Sequence, residues 1–270
     1  MTKSDPVDVA REAAEAGGAT AVELFRTDLS VDTKDGKTDY VTRADRRTQR
    51  QVVAVIRGTY PEAVVVGEEN DVRKDIPQSG LAWIVDPIDG TNNYLRGLRH
   101  WATSVVAVED SEPIAAASAL PAVGDTYIAG PDGVRRNGET ASVSTRTDPE
   151  TFAVVPTVWW DFDRRDEYAA VTEAIVTRFG DLVRPKSAQI ALALVAAGSI
   201  EGAITNVRPN PWDSVAGAYM VQQAGGTVTD IDGDVWRHDS RGLVASNGRA
   251  HGDVLAAARE AERLRERKGT

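Results

Sequence analysis

Two short apolar runs, Ala63-Val64-Val65-Val66 and Leu81-Ala82-Trp83-Ile84-Val85, each lead straight into carboxylates: Glu68 and Glu69 after the first, Asp86 after the second. Runs of four or five residues rich in Val and Ile are strand-length and too short for helices. A chain that ends its apolar strands in acids must carry those acids to the rim of a sheet, and that is the first sign of a site. From Thr103 to Ile128, Val, Ala and Ile alternate with turn residues, as in a mostly antiparallel meander.

The remaining pattern alternates helix and strand. Val9, Ala13, Ala16, Ala19, Val22 and Leu24 lie near helical spacing over 7–26, and a second helix is expected from Thr42, as N-cap, to Arg57. The charged stretch 145–151 marks a boundary, giving an N-terminal subdomain over residues 1–148 with the acidic motifs and a C-terminal subdomain over residues 149–270. The C-terminal subdomain reads strand Phe152–Val158, helix Asp166–Phe179, strand Leu182–Arg184, helix Ser187–Ala197 and strand Gly202–Asn206. Helix Asp213–Ala224, strands Thr227–Ile231 and Gly242–Ala245, and a terminal helix Asp253–Arg267 follow. Helices alternating with antiparallel blocks argue for layered sheets and helices rather than a Rossmann sheet or a TIM barrel.

Composition limits the chemistry. With 31 Lys plus Arg against 41 Asp plus Glu the formal net charge is −10, which argues against a nucleic acid as main partner. The chain has no Cys, so thiolate metal sites and cysteine nucleophiles are excluded. A secretory signal pattern and an apolar stretch of membrane-spanning length are both lacking, so a cytoplasmic protein that avoids membranes is expected. Arg outnumbers Lys by 25 to 6 and Asp outnumbers Glu by 25 to 16, a skew shared by halophilic proteins and GC-rich genomes.

The most specific string is Trp83-Ile84-Val85-Asp86-Pro87-Ile88-Asp89-Gly90-Thr91-Asn92-Asn93-Tyr94. An apolar strand delivers Asp86, Pro87 fixes a bend, Asp89 comes round beside it, and Gly90 permits close approach of a ligand to the backbone. Two hard oxygen ligands in one pocket suit Mg²⁺, which takes few carboxylates and works with phosphate oxygens. Taken singly, Asp89-Gly90 reads as a turn, Glu68 as a solvated strand end and Asp213 as a helix N-cap. Taken together, four acids at element ends repel one another unless cations hold them.

Four ordered motifs carry a resemblance over nearly the whole chain: Asp39-Tyr40-Val41-Thr42-Arg43-Ala44-Asp45, Gly67-Glu68-Glu69, Asp86 to Tyr94, and Trp212-Asp213-Ser214-Val215-Ala216-Gly217 with Ala224-Gly225-Gly226. In these the sequence resembles the inositol monophosphatase family, Mg²⁺-dependent, lithium-sensitive phosphatases whose relatives include archaeal-type fructose-1,6-bisphosphatases. The resemblance implies an α/β fold, a layered α/β/α/β/α sandwich, and two or three Mg²⁺ per site. Glu68, Asp86 and the Ile88 carbonyl would hold one ion; Asp86, Asp89 and Asp213 a second; a third would lean on Glu68. Asp45 and Thr91 would orient and deprotonate the attacking water, and the Gly90 and Thr91 amides would grip the phosphate. Lys34 or Lys37 matches a family lysine, and a homodimer is expected by the same resemblance.

The chain departs from that family pattern in two places. Where members usually carry a hydroxyl-reading acid before the Trp-Asp motif, this chain has Asn206, and in the substrate-facing segment Arg184-Pro185-Lys186-Ser187-Ala188, Lys186 replaces the usual Gly. An extra cation there either points to solvent or meets a second phosphate, as in a bisphosphate. Asn92-Asn93, where nucleotide 3′-phosphatases of the wider superfamily carry Lys, argues against that activity. The expected function is therefore Mg²⁺-dependent hydrolysis of a sugar or cyclitol phosphate, inositol monophosphate or fructose 1,6-bisphosphate or both, with a catalytically idle regulatory binding protein or a nucleotide 3′-phosphatase as the alternatives. A Ca²⁺-binding protein would need a loop richer in ligands than Asp230-Ile231-Asp232-Gly233-Asp234, which reads as a hairpin turn.

Overall fold

The computed structural model describes residues 5–27, 31–33, 40–69, 72–158 and 160–268. In chain order the elements are α1 (Pro6–Leu24), β1 (Val31–Thr33), β2 (Tyr40–Thr42), α2 (Arg43–Thr59), β3 (Val64–Gly67), β4 (Leu81–Asp89), α3 (Thr91–Leu95), β5 (Ala102–Glu109), β6 (Glu112–Leu120), β7 (Asp125–Gly130), β8 (Gly133–Arg136) and β9 (Glu139–Ala141). Then come β10 (Ala153–Pro156), α4 (Arg165–Arg178), β11 (Asp181–Leu182), α5 (Ala188–Ala196), β12 (Gly202–Thr205), α6 (Pro211–Gln223), β13 (Thr227–Thr229), β14 (Leu243–Ser246) and α7 (His251–Lys268).

Strand alternation builds the layers. In β4, Trp83 and Val85 point to one face and pack with Val9, Ala13, Val52 and Ile56 of α1 and α2. Ala82 and Ile84 point to the other face and join Ile190 and Leu192 of α5 and Val215 and Met220 of α6. Across that helical layer lie Val155, Ala203 and Ala245 of the second sheet, whose outer residues Val154, Ile204 and Val244 pack against Ile175 of α4 and Val254 of α7. The order is therefore α1–α2, seven-stranded sheet, α5–α6, five-stranded sheet, α4–α7: the expected α/β/α/β/α sandwich. Residues buried on both sheet faces explain why the strands read as continuous apolar runs.

The seven-stranded sheet has the order β3-β4-β5-β6-β7-β8-β9, parallel only between β3 and β4, so the expected meander is antiparallel. The five-stranded sheet has the order β11-β10-β12-β14-β13 and is mixed. Rather than turning away at Pro87, β4 runs on to Asp89, with a register shift between Asp86 and Asp89. That irregularity lets a proline, which has no N–H for the ladder, sit inside a central strand. Strand β11 covers Asp181–Leu182 rather than reaching Arg184, and β13 stops at Thr229. Asp230 accepts from the Asp232 and Asp234 amides and its own N–H donates to the Asp234 carbonyl, so this acidic string is a turn. Among the described residues no helix is long and apolar enough to cross a membrane.

Candidate metal centre and active site

The end of β4 and the first turn of α6 bring three carboxylates together: oxygens of Asp86, Asp89 and Asp213 lie within 4.8 Å of one another. Asp86 is 1 % exposed and one of its oxygens has no hydrogen-bond partner among the described residues. Burial first, then the charges of Glu68, Asp89, Asp213 and Asp45, push its carboxyl well above the usual carboxylate range. An orphaned buried oxygen amid like charges is what a hard divalent cation relieves, so the donor set fits Mg²⁺. Glu68, half-buried just past β3, stands outside the triad but exerts the largest single charge effect on Asp86.

Asp89 is built differently. It accepts from the Ser187 hydroxyl and from the amides of Ala188 at 3.2 Å and Gln189 at 2.7 Å, at the start of α5. Burial raises its proton affinity, and these bonds pull the other way. A carboxylate offers about four lone-pair sites, so oxygens engaged by a helix start can still take a metal. Ser187 is the side-chain N-cap of α5, accepting from Ile190 N. Asp213 is not an N-cap: Asn210 holds that place, and its amide donates to Asp213 at 3.0 Å.

Beside the triad, Thr91 Oγ1 lies 3.2 Å from Asp45 Oδ1 and 3.0 Å from the carbonyl of Ile88. Asp45 is in the first turn of α2 and almost wholly buried. Gly90, the N-cap of α3, has φ +90°, and a Cβ there would meet the His100 carbonyl at 2.9 Å. Only glycine allows this turn.

A cleft of about 460 Å³ opens from the acids, lined by Asp89, Gly90, Thr91, Asn92, Ser187 and Asp213 and also by Arg184, Lys186, Arg208, Asn210 and Asp161. Lys186 has φ +58°, an uncommon conformation for a residue with a Cβ, which accounts for the usual glycine at this place. Its proton affinity is lowered, mainly by burial and then by Arg96, Arg184 and Arg165. The Arg184 guanidinium lies 4.6 Å from the centre of the Tyr168 ring.

Asn206 corrects an expectation. Its side chain is buried away from the cleft: the amide donates to Glu167 and Glu262, and its oxygen accepts from Trp160 Nε1 at 2.6 Å. It ties β12 to α4 and α7 and does not read a ligand. Lys34, Lys37 and Asp39 lie outside the described residues. Two site-building residues escaped the sequence reading. Asn93 donates to the carbonyls of His100 and Pro185, and Gln189 links Trp212 O to Gly217 N. Gln189 left a signal, a lone amide inside the apolar run Ala188–Ala196.

Layered architecture with buried, clustered acids defines an α/β scaffold with a site suited to divalent cations, and comparison with known proteins narrows it. The inositol monophosphatase family profile matches residues 3–263. The fructose-1,6-bisphosphatase/inositol-1-monophosphatase of Thermotoga maritima is 33 % identical over 232 residues, covering 86 % of this chain and 87 % of that protein. The Nus factor SuhB of Pseudomonas aeruginosa is 31 % identical over 243 residues, covering 88 % and 89 %. Among solved structures, the Thermotoga maritima IMPase superposes with TM-score 0.83 at 30 % identity, covering 96 % of both chains. The chain belongs to the inositol monophosphatase family.

Proposed function

We propose that the chain is a Mg²⁺-dependent phosphomonoesterase acting on a sugar or cyclitol phosphate, working in the cytoplasm as a homodimer. The observation that carries this reading is the Asp86–Asp89–Asp213 cluster, with its orphaned oxygen, next to the Thr91–Asp45 pair. Asp86, Asp89 and Asp213 would hold metal, with Glu68 and the Ile88 carbonyl completing the set. Bound divalent ions supply a lowered water pKa and neutralise phosphoryl charge. Thr91 Oγ1 accepts from the attacking water and passes its own proton toward Asp45 Oδ1, which the pair's 3.2 Å separation supports. The Gly90–Thr91 backbone grips the phosphate where the chain turns from β4 into α3.

The cleft's size suits a sugar phosphate, pockets for small ligands being about 300–1,000 Å³. Its lining includes Arg184, Lys186 and Arg208, cations that favour a substrate with a second phosphate, fructose 1,6-bisphosphate being the first to try. The regulatory alternative draws on relatives named Nus factor SuhB, but the full set of acids favours hydrolysis.

Phosphate release from inositol 1-phosphate, fructose 1,6-bisphosphate, glucose 1-phosphate and 3′-phosphoadenosine 5′-phosphate, with Mg²⁺ or with EDTA, tests the reading. Release that requires Mg²⁺ and falls about 10²–10⁴-fold in Asp45→Asn or Thr91→Ala supports it. Silence from a folded chain across the panel would sink it in favour of the regulatory role.

A further inference from the structure

The proposed site uses the Asp of the Trp-Asp pair and the Glu after β3, but leaves unexplained the tryptophan before one and the loop after the other. Arg73 forms a parallel bridge with Val66, its N–H bonding the Val65 carbonyl and its own carbonyl accepting from Gly67 N. This pairing sets the next residue, Lys74, over the end of β3. There its ammonium donates to three successive carbonyls: Gly67 at 2.9 Å, Glu68 at 2.5 Å and Glu69 at 2.9 Å. An ammonium has three N–H groups, so these bonds match its donor capacity. The same nitrogen lies 5.3 Å from the centre of the Trp212 ring, within cation–π range.

Trp212 is joined in turn to the third acid-bearing segment. Its carbonyl accepts from Gln189 Nε2 at 2.5 Å, and Gln189 N donates to Asp89 at 2.7 Å. A continuous set of contacts therefore runs Glu68–Lys74–Trp212–Gln189–Asp89, with Asp213 next to Trp212 in the chain. Glu68 follows an edge strand of the seven-stranded sheet, whereas Asp213 belongs to the middle helical layer.

We propose that Lys74 and Trp212 form a latch that fixes Glu68 against Asp213 and thereby sets the metal affinity of the site, Lys74 acting as a positioning residue. The inference rests on the metal-binding reading above. Charge and tether predict opposite signs. If the ammonium mattered only as a positive charge near a cation site, its removal would tighten Mg²⁺ binding; as a tether, its removal loosens Glu68 and weakens binding. Groups that orient metal ligands typically contribute about 10–100-fold in affinity.

Isothermal titration of Mg²⁺ into the substrate-free chain measures this directly, on the parent, Lys74→Ala, Lys74→Arg, Trp212→Leu and Trp212→Phe, with melting in EDTA as the check on folding. Lys74→Ala and Trp212→Leu should bind Mg²⁺ about 10-fold more weakly, while Lys74→Arg and Trp212→Phe, which keep a cation over an aromatic face, stay near the parent. If Lys74→Ala does not fold, Trp212→Leu, which keeps bulk but loses the π face, decides alone. Unchanged or tighter binding in the folded variants overturns the latch. A parent that binds no Mg²⁺ overturns the metal reading and the latch together, whereas a parent that binds while the variants match it overturns the latch alone.

Discussion

Asp86 and Asp89 are three residues apart and both buried, yet their surroundings oppose each other. Asp86 has an oxygen with no partner and other acids acting on it, whereas Asp89 is held by the N-cap hydroxyl and amides of α5. For Asp86 the folded chain binds a proton more tightly than the unfolded one. Between the ordinary carboxylate range and that raised value the native state therefore carries more protons, and stability falls as pH rises through the window. Asp86→Asn removes this cost without changing volume. In EDTA it should melt higher than the parent at pH 8, by about 2–4 °C for each kcal/mol relieved, with the gap closing as pH falls toward 4. Asp89→Asn should do the reverse and lose about 1 kcal/mol at every pH: burial raises the proton affinity of Asp89 too, but an amide NH2 in its place would face the Ser187 hydroxyl and the α5 amides that now donate to the carboxylate. Melting both variants in EDTA from pH 4 to 9 checks the contrast; equal behaviour would refute it. The two acids read alike in sequence because the amides that distinguish them come from a segment about a hundred residues later.

At the level of elements, the entry to α5 is where local preference and structure disagree. A left-handed backbone in an L-residue costs about 1–2 kcal/mol, and Lys186 adopts one, with the Pro185 and Lys186 carbonyls both accepting from Asn93 Nδ2. Glycine would remove that strain but add about 0.5–1 kcal/mol of unfolded-chain entropy. Lys186→Gly should therefore be as stable as the parent or up to about 1.5 kcal/mol more so, while KM rises for fructose 1,6-bisphosphate and stays level for a monophosphate. Melting beside the two KM values tests this; a KM that rises equally for both substrates would remove Lys186 from second-phosphate recognition. The helices and most strands were legible because their apolar spacing is local. Legible too was the Asp86–Asp89 approach, set by four consecutive residues. The left-handed turn at Lys186 was not, since nothing adjacent demands it, and neither was the inward turn of Asn206, whose partners Trp160, Glu167 and Glu262 come from distant stretches of the chain. Close packing left a trace in Gly217, where a Cβ would lie 2.4 Å from Leu192 Cβ between α5 and α6, and in Gly17, where it would lie 2.5 Å from Val52 Cγ2 between α1 and α2.

Over the whole molecule, layer order follows from which face each alternating residue takes, and a strand apolar on both faces, as β4 is, carries no such label in sequence. The same arrangement makes metal binding a global matter. Asp86 and Asp89 belong to the seven-stranded sheet and Asp213 to the middle helical layer, so ions shared by them would add a further link between two layers already joined by apolar packing and by the bonds of Asp89 to the start of α5. A chain with net charge −10 repels phosphate at long range, and at the cleft Arg184, Lys186 and Arg208 offset the acids Asp89, Asp161 and Asp213. Bound metal stabilises the native state by mass action, about 2.7 kcal/mol at a concentration 100 times Kd, which for a chain of this size is a rise of about 5–10 °C in melting temperature. Because the stabilisation comes from binding rather than from ionic strength, Mg²⁺ should produce it where NaCl of equal ionic strength does not, and Asp86→Asn should lose it. A rise of the same size in NaCl, or one that persists in Asp86→Asn, would mean that screening of the acidic surface, and not a cation held between layers, stabilises the fold.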